Sequence, residues 1–378
     1  MIVVTIILLV LLAGALVYSV LSVVAAFRYL AVQPSASETG APVSILKPLA
    51  GLDLGLESNL RTFFEQDYCP YEILFAVKSQ LDPAVSIVEK LRSEYPHIPT
   101  RLLITGEPTY ANAKVFSLEH LLAAAEHDLI VMSDSDTRVT PDFLRTVAAE
   151  FQNPGIGLAT CPYRAVGGPS FWSHLEATGL NTDFMAGILV ARMLEGMKFA
   201  VGPTIVARRH VLASIGGFDV LKEYLAEDFV MGKLAAEAGH GVILSSYVIE
   251  HHIGSAEMHE SLAHRLRWVR STRRSRPAGY VGQLFTMPLP IALLLTIVNP
   301  HSWPLLALTV AIRALAAYIV SSRVLTAGIN WLLLPVEDVL GFCFWLAGFF
   351  GNTIMWRGRK YLLRKDGKFE LIKETANP

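Results

Sequence analysis

The sequence predicts an α/β domain held between membrane segments. Three features carry that expectation: short β-rich runs alternate with helical patterns between residues 43 and 254, long apolar stretches occupy both ends, and the composition suits neither water nor lipid alone. With 52% hydrophobic and 17% charged residues over 378 positions, and a mean hydropathy of +0.43, the chain is too apolar for an ordinary soluble protein and too charged to lie wholly in hydrocarbon.

Residues 1–30 open with an almost uninterrupted apolar run whose first positive charge is Arg28. That length crosses a hydrocarbon core of about 30 Å. A cleaved signal peptide carries its positive charge ahead of the run and keeps the run to about 7–15 residues, so an uncleaved transmembrane anchor is expected. Residues 31–42 contain Pro, Ser and Gly without apolar periodicity and read as a linker. Residues 43–260 form the α/β domain, with buried strands expected at 43–46, 73–77 and 129–132 and helices at 83–95 and 113–126. Such alternation places a ligand crevice at the carboxyl ends of the strands. Residues 261–282 read as a basic interfacial helix. Residues 283–356 hold three apolar stretches, 284–298, 303–320 and 331–355. The first contains Pro288 and Pro290 and reads as kinked, re-entrant or interfacial; the other two are expected to span. Arg313, Glu337 and Asp338 within them must face protein, water or the interface, because an ionised group at the bilayer centre costs about 2.5–3.5 kcal/mol. Residues 357–378 form a basic tail with Arg357, Arg359, Lys360 and Arg364. Arg28 and the basic stretch 264–276 favour a cytoplasmic domain by the positive-inside rule, while the number of spans and the side of the tail stay open.

A formal net charge of −1 removes the broad attraction that nucleic-acid binding requires, so no nucleic-acid partner is expected. Cys69, Cys161 and Cys343 are scattered and odd in number, which suggests neither a disulfide framework nor a zinc site.

The chemistry-bearing residues fall at strand ends and loops. Asp134-Ser-Asp136 closes the run Leu129-Ile-Val-Met-Ser, and two carboxylates one residue apart at a strand end can converge on a hard divalent cation, Mg or Mn, that neutralises a diphosphate. A solvated turn or helix cap before Pro141 is the competing reading. Glu227-Asp228 precedes a helical pattern, either as acidic residues at a helix start or with Asp228 as general base for an incoming hydroxyl. Asp82, before Pro83, reads singly as an N-cap. Lys114 reads from the residues as a solvated lysine at a helix start. Gly202-Pro-Thr204 is a turn that lets backbone approach a ligand or is only a turn. In His264-Arg-Leu-Arg267-Trp268, the guanidinium is suited to gripping a leaving diphosphate and the indole to stacking on a sugar.

The ordered set Asp82, Asp134-Ser-Asp136, Glu227-Asp228 and Arg267-Trp268 resembles the D, D, D, (Q/R)xxRW pattern of family 2 type glycosyltransferases. The chain most resembles the ceramide glucosyltransferase-like family, family 21, through Ser44-Ile-Leu-Lys-Pro-Leu-Ala-Gly51, Asn59-Leu-Arg-Thr-Phe-Phe-Glu65, Asp67-Tyr68, Ala226-Glu-Asp228 and Trp356-Arg-Gly-Arg-Lys-Tyr361. The resemblance implies a GT-A, Rossmann-like fold and inverting transfer from a UDP-sugar donor with a divalent cation. It assigns Asp82 to the uridine, Asp134 and Asp136 to the metal and diphosphate, Lys114 and His264 to donor binding, Asp228 to the base, and Arg267 and Trp268 to completing the donor site. Two positions depart from the pattern. His264 stands where the motif has Gln or Arg, and Asp136 stands where the ceramide enzymes often carry a small residue.

The acceptor implied is a lipid alcohol, hopanoid or ceramide. The chain is also similar to the bacterial hopanoid-associated branch, which implies N-acetylglucosamine transfer to a bacteriohopanepolyol at the bacterial inner membrane. A processive polysaccharide synthase would share the donor site but need more membrane helices; a non-catalytic membrane scaffold would need none of the acidic set.

Overall fold

The structure is a computed structural model that describes residues 2–32, 40–254, 257–356 and 359–372. Residues 33–39 of the expected linker, and Arg357 of the tail, lie outside the described residues. The chain divides into two compact units, one of residues 33–163 and 195–254, the other of residues 1–32, 164–194 and 255–378. Residues 164–194, inside the expected 43–260 domain, therefore group with the apolar terminal segments.

In chain order the first ten strands are β1 Val43–Pro48, β2 Tyr71–Val77, β3 Thr100–Ile104, β4 Leu129–Ser133, β5 Thr137–Arg138, β6 Ile156–Thr160, β7 Tyr163–Gly167, β8 Thr204–Arg208, β9 Gly241–Leu244 and β10 Ile249–Ile253. Seven of them form the main sheet, in the order β3-β2-β1-β4-β8-β6-β9. β3, β2, β1 and β4 run parallel; β1, β2 and β3 are each followed by a helix, as the alternation predicts, while β4 is followed by the short strand β5. Contiguous apolar residues in β1, β2 and β4 are buried, as strands covered on both faces require. The expected helices appear as Ala84–Glu94 and Ala113–Ala124, packed by Val88, Leu91, Val115, Leu118 and Leu121.

One antiparallel pairing positions the site. β8 runs against β4 with Ser133 opposite Thr204, so the amino end of β8 meets the carboxyl end of β4. The Gly202-Pro203 turn then lies beside Asp134, whose N–H donates to the Pro203 carbonyl at 2.9 Å. The short β5–β10 pairing sets His251 opposite Thr137 in the same way.

In the second unit, Ile2–Leu30 is a 29-residue apolar helix, long enough to span with some tilt. It packs Leu12 and Ala15 on Ile291, Ala292 and Leu295. Gly14 permits close approach, since a Cβ there would meet the Phe285 ring at 2.7 Å. Pro300–Val324 is a second candidate span. Pro277–Thr286 and Pro288–Val298 meet at a 62° bend, as expected from Pro288, which forces Met287 out of helical geometry.

The stretch 331–355 does not form the expected span. Its helix, Leu333–Gly348, has 16 residues, about 24 Å at 1.5 Å per residue, and ends before the left-handed Gly351 (φ 76°). The chain then turns into an antiparallel sheet of Thr353–Trp356, Arg359–Leu363 and Phe369–Leu371. Part of the basic tail is thus folded, with Tyr361, Leu363 and Phe369 buried. The charges in the apolar stretches face protein: Arg313 donates to Asp338 at 2.8 Å and pairs with Asp183 at 2.7 Å, and Arg265 donates to Glu337 at 2.8 Å.

Candidate active site

The Asp134-Ser-Asp136 loop leaves β4 over a buried lysine. Lys47, at the end of the apolar strand β1, donates to the Asp134 carbonyl at 2.7 Å, to Thr137 Oγ1 at 3.0 Å and to Ser133 Oγ at 3.1 Å. Its ammonium also lies 3.4 Å from the centre of the Phe63 ring. Burial pulls the Lys47 pKa well below the usual lysine range, while Asp134 and Asp136 oppose that shift. The loop is further held by Asn59, which donates to the Ser135 carbonyl at 3.2 Å, and by Asp53, which accepts from the Ser135 hydroxyl.

The two aspartates have different partners. Asp134 Oδ1 pairs with Lys114 Nζ at 2.7 Å, and Asp136 Oδ2 pairs with His251 Nε2 at 3.2 Å. Burial raises the pKa of Asp134 despite the Lys114 charge, and the Asp136 charge adds to the rise. Burial acts on Asp136 in the same sense, but His251, with Lys47 and Lys114, holds its carboxyl below the ordinary value. Asp136 Oδ1 is buried with no hydrogen-bond partner, so this loop carries one unsatisfied carboxylate oxygen.

Lys114 joins this loop to the Glu227-Asp228 corner. Its Nζ pairs with Glu227 Oε1 at 3.2 Å as well as with Asp134. Burial alone would depress the lysine, but Asp134 and Glu227 outweigh it and raise its pKa, so it stays charged. Asn112 sets the geometry: its carbonyl oxygen caps the helix Ala113–Ala124 at the N–H groups of Lys114 and Val115, and its amide donates to the Tyr224 carbonyl at 2.9 Å and to Glu227 at 3.3 Å. Asp228 starts the helix Glu227–Glu237 and points at Gly202, where a Cβ would lie 2.9 Å from its Oδ2. Burial, reinforced by Glu227, raises Asp228 from 3.8 to about 7. A small cavity is lined by Lys114, Ser133, Gly202, Glu227 and Asp228. Lys114, Asp134 and Asp228, the first and last from helix starts, are therefore gathered around the carboxyl end of β4.

Asp82 sits after β2, and its carboxylate accepts from Ala84 N at 2.9 Å and from Gly51 N at 3.1 Å through each oxygen. It caps the following helix, as its single-residue reading holds, and also ties down the loop at the end of β1, where Gly51 is left-handed (φ 73°).

His264, Arg267 and Trp268 belong to the other unit, on the helix Met258–Ser275. His264 Nδ1 donates to buried Glu176 at 2.6 Å, and its ring packs 4.8 Å from that of Trp268. Trp268 also meets Phe184, and the Arg267 guanidinium lies 5.9 Å over Trp356. The departure at position 264 thus has a partner on the segment 164–194.

Sequence reasoning passed over Lys47, Asn112, His251 and Glu176. The lysine inside an apolar strand was a readable signal; the others depend on pairings far apart in sequence. Among the described residues no cluster of three or more His, Cys, Asp or Glu side chains converges at metal spacing.

A centrally parallel sheet with one antiparallel strand beside β4 and acidic loops at its strand ends is the arrangement of the GT-A fold. The mannosyltransferase of Pyrobaculum calidifontis, solved in complex with GDP-Man and Mn2+, shares this fold: it is 19% identical, with a TM-score of 0.53, over 91% of this chain and 99% of that one. The chain belongs to glycosyl transferase family 21, whose family model matches residues 6–369. Similar proteins include ceramide glucosyltransferases 1 and 3 of Caenorhabditis elegans, 29% identical over 54% of this chain and 28% over 60%. Another is the ceramide glucosyltransferase of Komagataella phaffii, 31% identical over 38% of this chain. These matches span 44%, 50% and 31% of the relatives' own lengths.

Proposed function

We propose that this chain transfers a single sugar from a UDP-sugar to a hydroxyl of a membrane lipid, with inversion at the anomeric carbon. The observation that carries the proposal is Lys114, which joins the Asp134 loop to the Glu227-Asp228 corner at the strand ends of a family 21 chain with membrane-length helices.

In this reading Asp228 accepts the proton of the attacking lipid hydroxyl, a role suited to a carboxylate whose pKa lies near neutrality. Lys114 offsets the negative charge gathered by two carboxylate loops and contacts the donor diphosphate. Gly202 lets the Asp228 carboxylate lie against the turn that precedes β8, since a Cβ there would stand 2.9 Å from its Oδ2. Asp82 orders the loop that receives the uridine. His264, Arg267 and Trp268 take the donor-site roles that the family pattern assigns them.

The residues fit a divalent cation, Mg or Mn. Asp136 offers an unpartnered buried oxygen and Asp134 a second carboxylate, while the lack of a third protein ligand among the described residues suits a cation completed by phosphate oxygens and water. When bound, such a cation supplies charge neutralisation for the leaving diphosphate.

The donor and acceptor expected from the sequence are UDP-N-acetylglucosamine and a bacteriohopanepolyol, with the catalytic domain on the cytoplasmic face of a bacterial inner membrane. A second reading, glucose from UDP-glucose onto ceramide, is favoured by the names of the similar proteins. Supplying purified protein with each radiolabelled UDP-sugar and each lipid, then counting the label extracted into organic solvent, tests the proposal. Label extracted only when both donor and lipid are present supports it; label that stays aqueous in every combination overturns it.

A further inference from the structure

The unit that carries the candidate spans holds a half-open cavity of about 230 Å³ whose lining includes none of the acidic-loop residues. Its walls come from β7, the helix Phe171–Gly179, the π-helical turn Leu180–Phe184 and the stretch 321–330. We propose that this cavity binds the neutral, hydroxyl- and amide-bearing head of the lipid acceptor; the inference rests on the lipid-glycosylation reading above.

The site is built rather than incidental. Asn181 donates to the Ala165 carbonyl at 2.9 Å and accepts from its N–H at 2.8 Å, which pins β7 to the π-helical turn. Arg164 Nη1 grips the opposite wall at Thr326 Oγ1, 2.7 Å away, and at the Leu325 and Thr326 carbonyls. Thr326 is left-handed (φ 53°), a conformation that a β-branched residue adopts only when its surroundings impose it. Gly167 is required because a Cβ there would stand 2.6 Å from His174 Nδ1. A second π-helical turn, Tyr318–Val324, contributes Ser321. Such turns widen a helix and recur at functional sites.

Depth and chemistry point to a lipid head. Ser321 lies in the last turn of the candidate span Pro300–Val324, and Ala327 to Asn330 follow directly beyond it. The end of a span lies at the membrane–water interface, and Tyr318 and Trp331, 44% and 50% exposed, flank it as interfacial aromatics do. The lining contains no carboxylate, which disfavours a cationic head. Two polar groups remain open. The His174 ring has no hydrogen-bond partner among the described residues, and Asn330 spends its oxygen on the N–H groups of Leu332 and Leu333, leaving its amide NH2 as a donor. A half-open cavity of this volume has room for several waters or for a small head group.

Two variants test this without disturbing the walls. Gly328→Phe adds bulk at a lining position where a Cβ meets nothing within 4 Å, and Asn330→Asp keeps the helix-capping oxygen while removing the amide donor. Full-length protein in phosphatidylcholine nanodiscs is assayed with whichever lipid the wild type glycosylates, and labelled with photoreactive analogues of ceramide and of a bacteriohopanepolyol. Expected are a tenfold or greater rise in acceptor KM for Gly328→Phe and a smaller one for Asn330→Asp. Donor KM should stay within twofold, and the label should fall on residues 174–182 and 321–330 and be displaced by unlabelled acceptor. Acceptor KM within twofold of wild type in both variants overturns the cavity assignment, as does labelling displaced equally by excess phospholipid. A wild type that transfers to no lipid overturns the lipid-glycosylation reading and this inference with it, whereas a transferring wild type with unaffected variants overturns only the cavity.

Discussion

Replacing Asp228 with Asn separates catalysis from folding, because the two effects run in opposite directions. The side chain keeps its shape beside Gly202 but loses the ability to take a proton. General-base loss typically costs 10²- to 10⁴-fold in rate, about 3–5 kcal/mol of barrier. Folding responds otherwise. Burial and Glu227 raise the Asp228 pKa from 3.8 to about 7, so the folded state holds that proton more tightly than the unfolded chain does. The associated stability is complete below about pH 4 and is lost as pH rises through 7, where ionisation inside the fold costs up to about 4 kcal/mol, less any relief from residual solvent access. Asn never ionises, so Asp228→Asn should match the wild type near pH 4 and be more stable than it by a few kcal/mol near pH 8. The assay pairs lipid-transfer rates at saturating donor with thermal unfolding and UDP-sugar binding at both pH values. A variant that turns over within threefold of wild type refutes the base assignment. One that unfolds at lower temperature near pH 8 refutes the electrostatic account of the corner.

The remaining predictions concern the same loops. The profile of log kcat/KM against pH should rise with a midpoint near 7, since the base must be deprotonated to accept the hydroxyl proton, and the residual activity of Asp228→Asn should lack that limb. Lys114→Met leaves Asp134 and Glu227 without their shared cation, so UDP-sugar affinity measured by calorimetry should fall at least tenfold. Asp136→Asn should raise the Mn2+ or Mg2+ concentration needed for half-maximal transfer, read from a titration after chelator treatment. Lys47→Met removes three hydrogen bonds, but Ser133 and Thr137 can bond each other at 2.8 Å; the main loss is the donor to the Asp134 carbonyl, with about 1–3 kcal/mol of destabilisation seen by denaturant unfolding.

Periodicity made the first half of the main sheet legible. β1, β2 and β4 are mostly apolar and buried because both of their faces are covered, with Ser44, Lys47 and Glu72 the polar exceptions in β1 and β2, and the helices between them match their patterns to within two residues at each end. Asp134, Lys114 and Asp228 were readable because each follows such a run or opens a helix. What local pattern could not show was partnership. His251 reaches Asp136 through the β5–β10 pairing, 115 residues away, and Glu176 reaches His264 across 88 residues. The stretch 331–355 is apolar enough to suggest a span, yet Glu337 and Asp338 are consumed by Arg265 and Arg313, and the Gly351 turn sends the chain into a small sheet. The grouping of residues 164–194 with the apolar terminal segments follows from packing between distant stretches, which composition does not record.

The central claim is transfer of one sugar from a nucleotide donor to a lipid hydroxyl. Mass spectrometry of a membrane lipid extract, incubated with the purified full chain and a panel of UDP-sugars, tests it most directly. The account predicts a new glycolipid heavier than one parent lipid by a single hexose or N-acetylhexosamine, formed with one donor and at a rate lower by about 10²-fold or more with Asp228→Asn. A ladder of repeated increments, or a lipid profile unchanged by every donor, would contradict it.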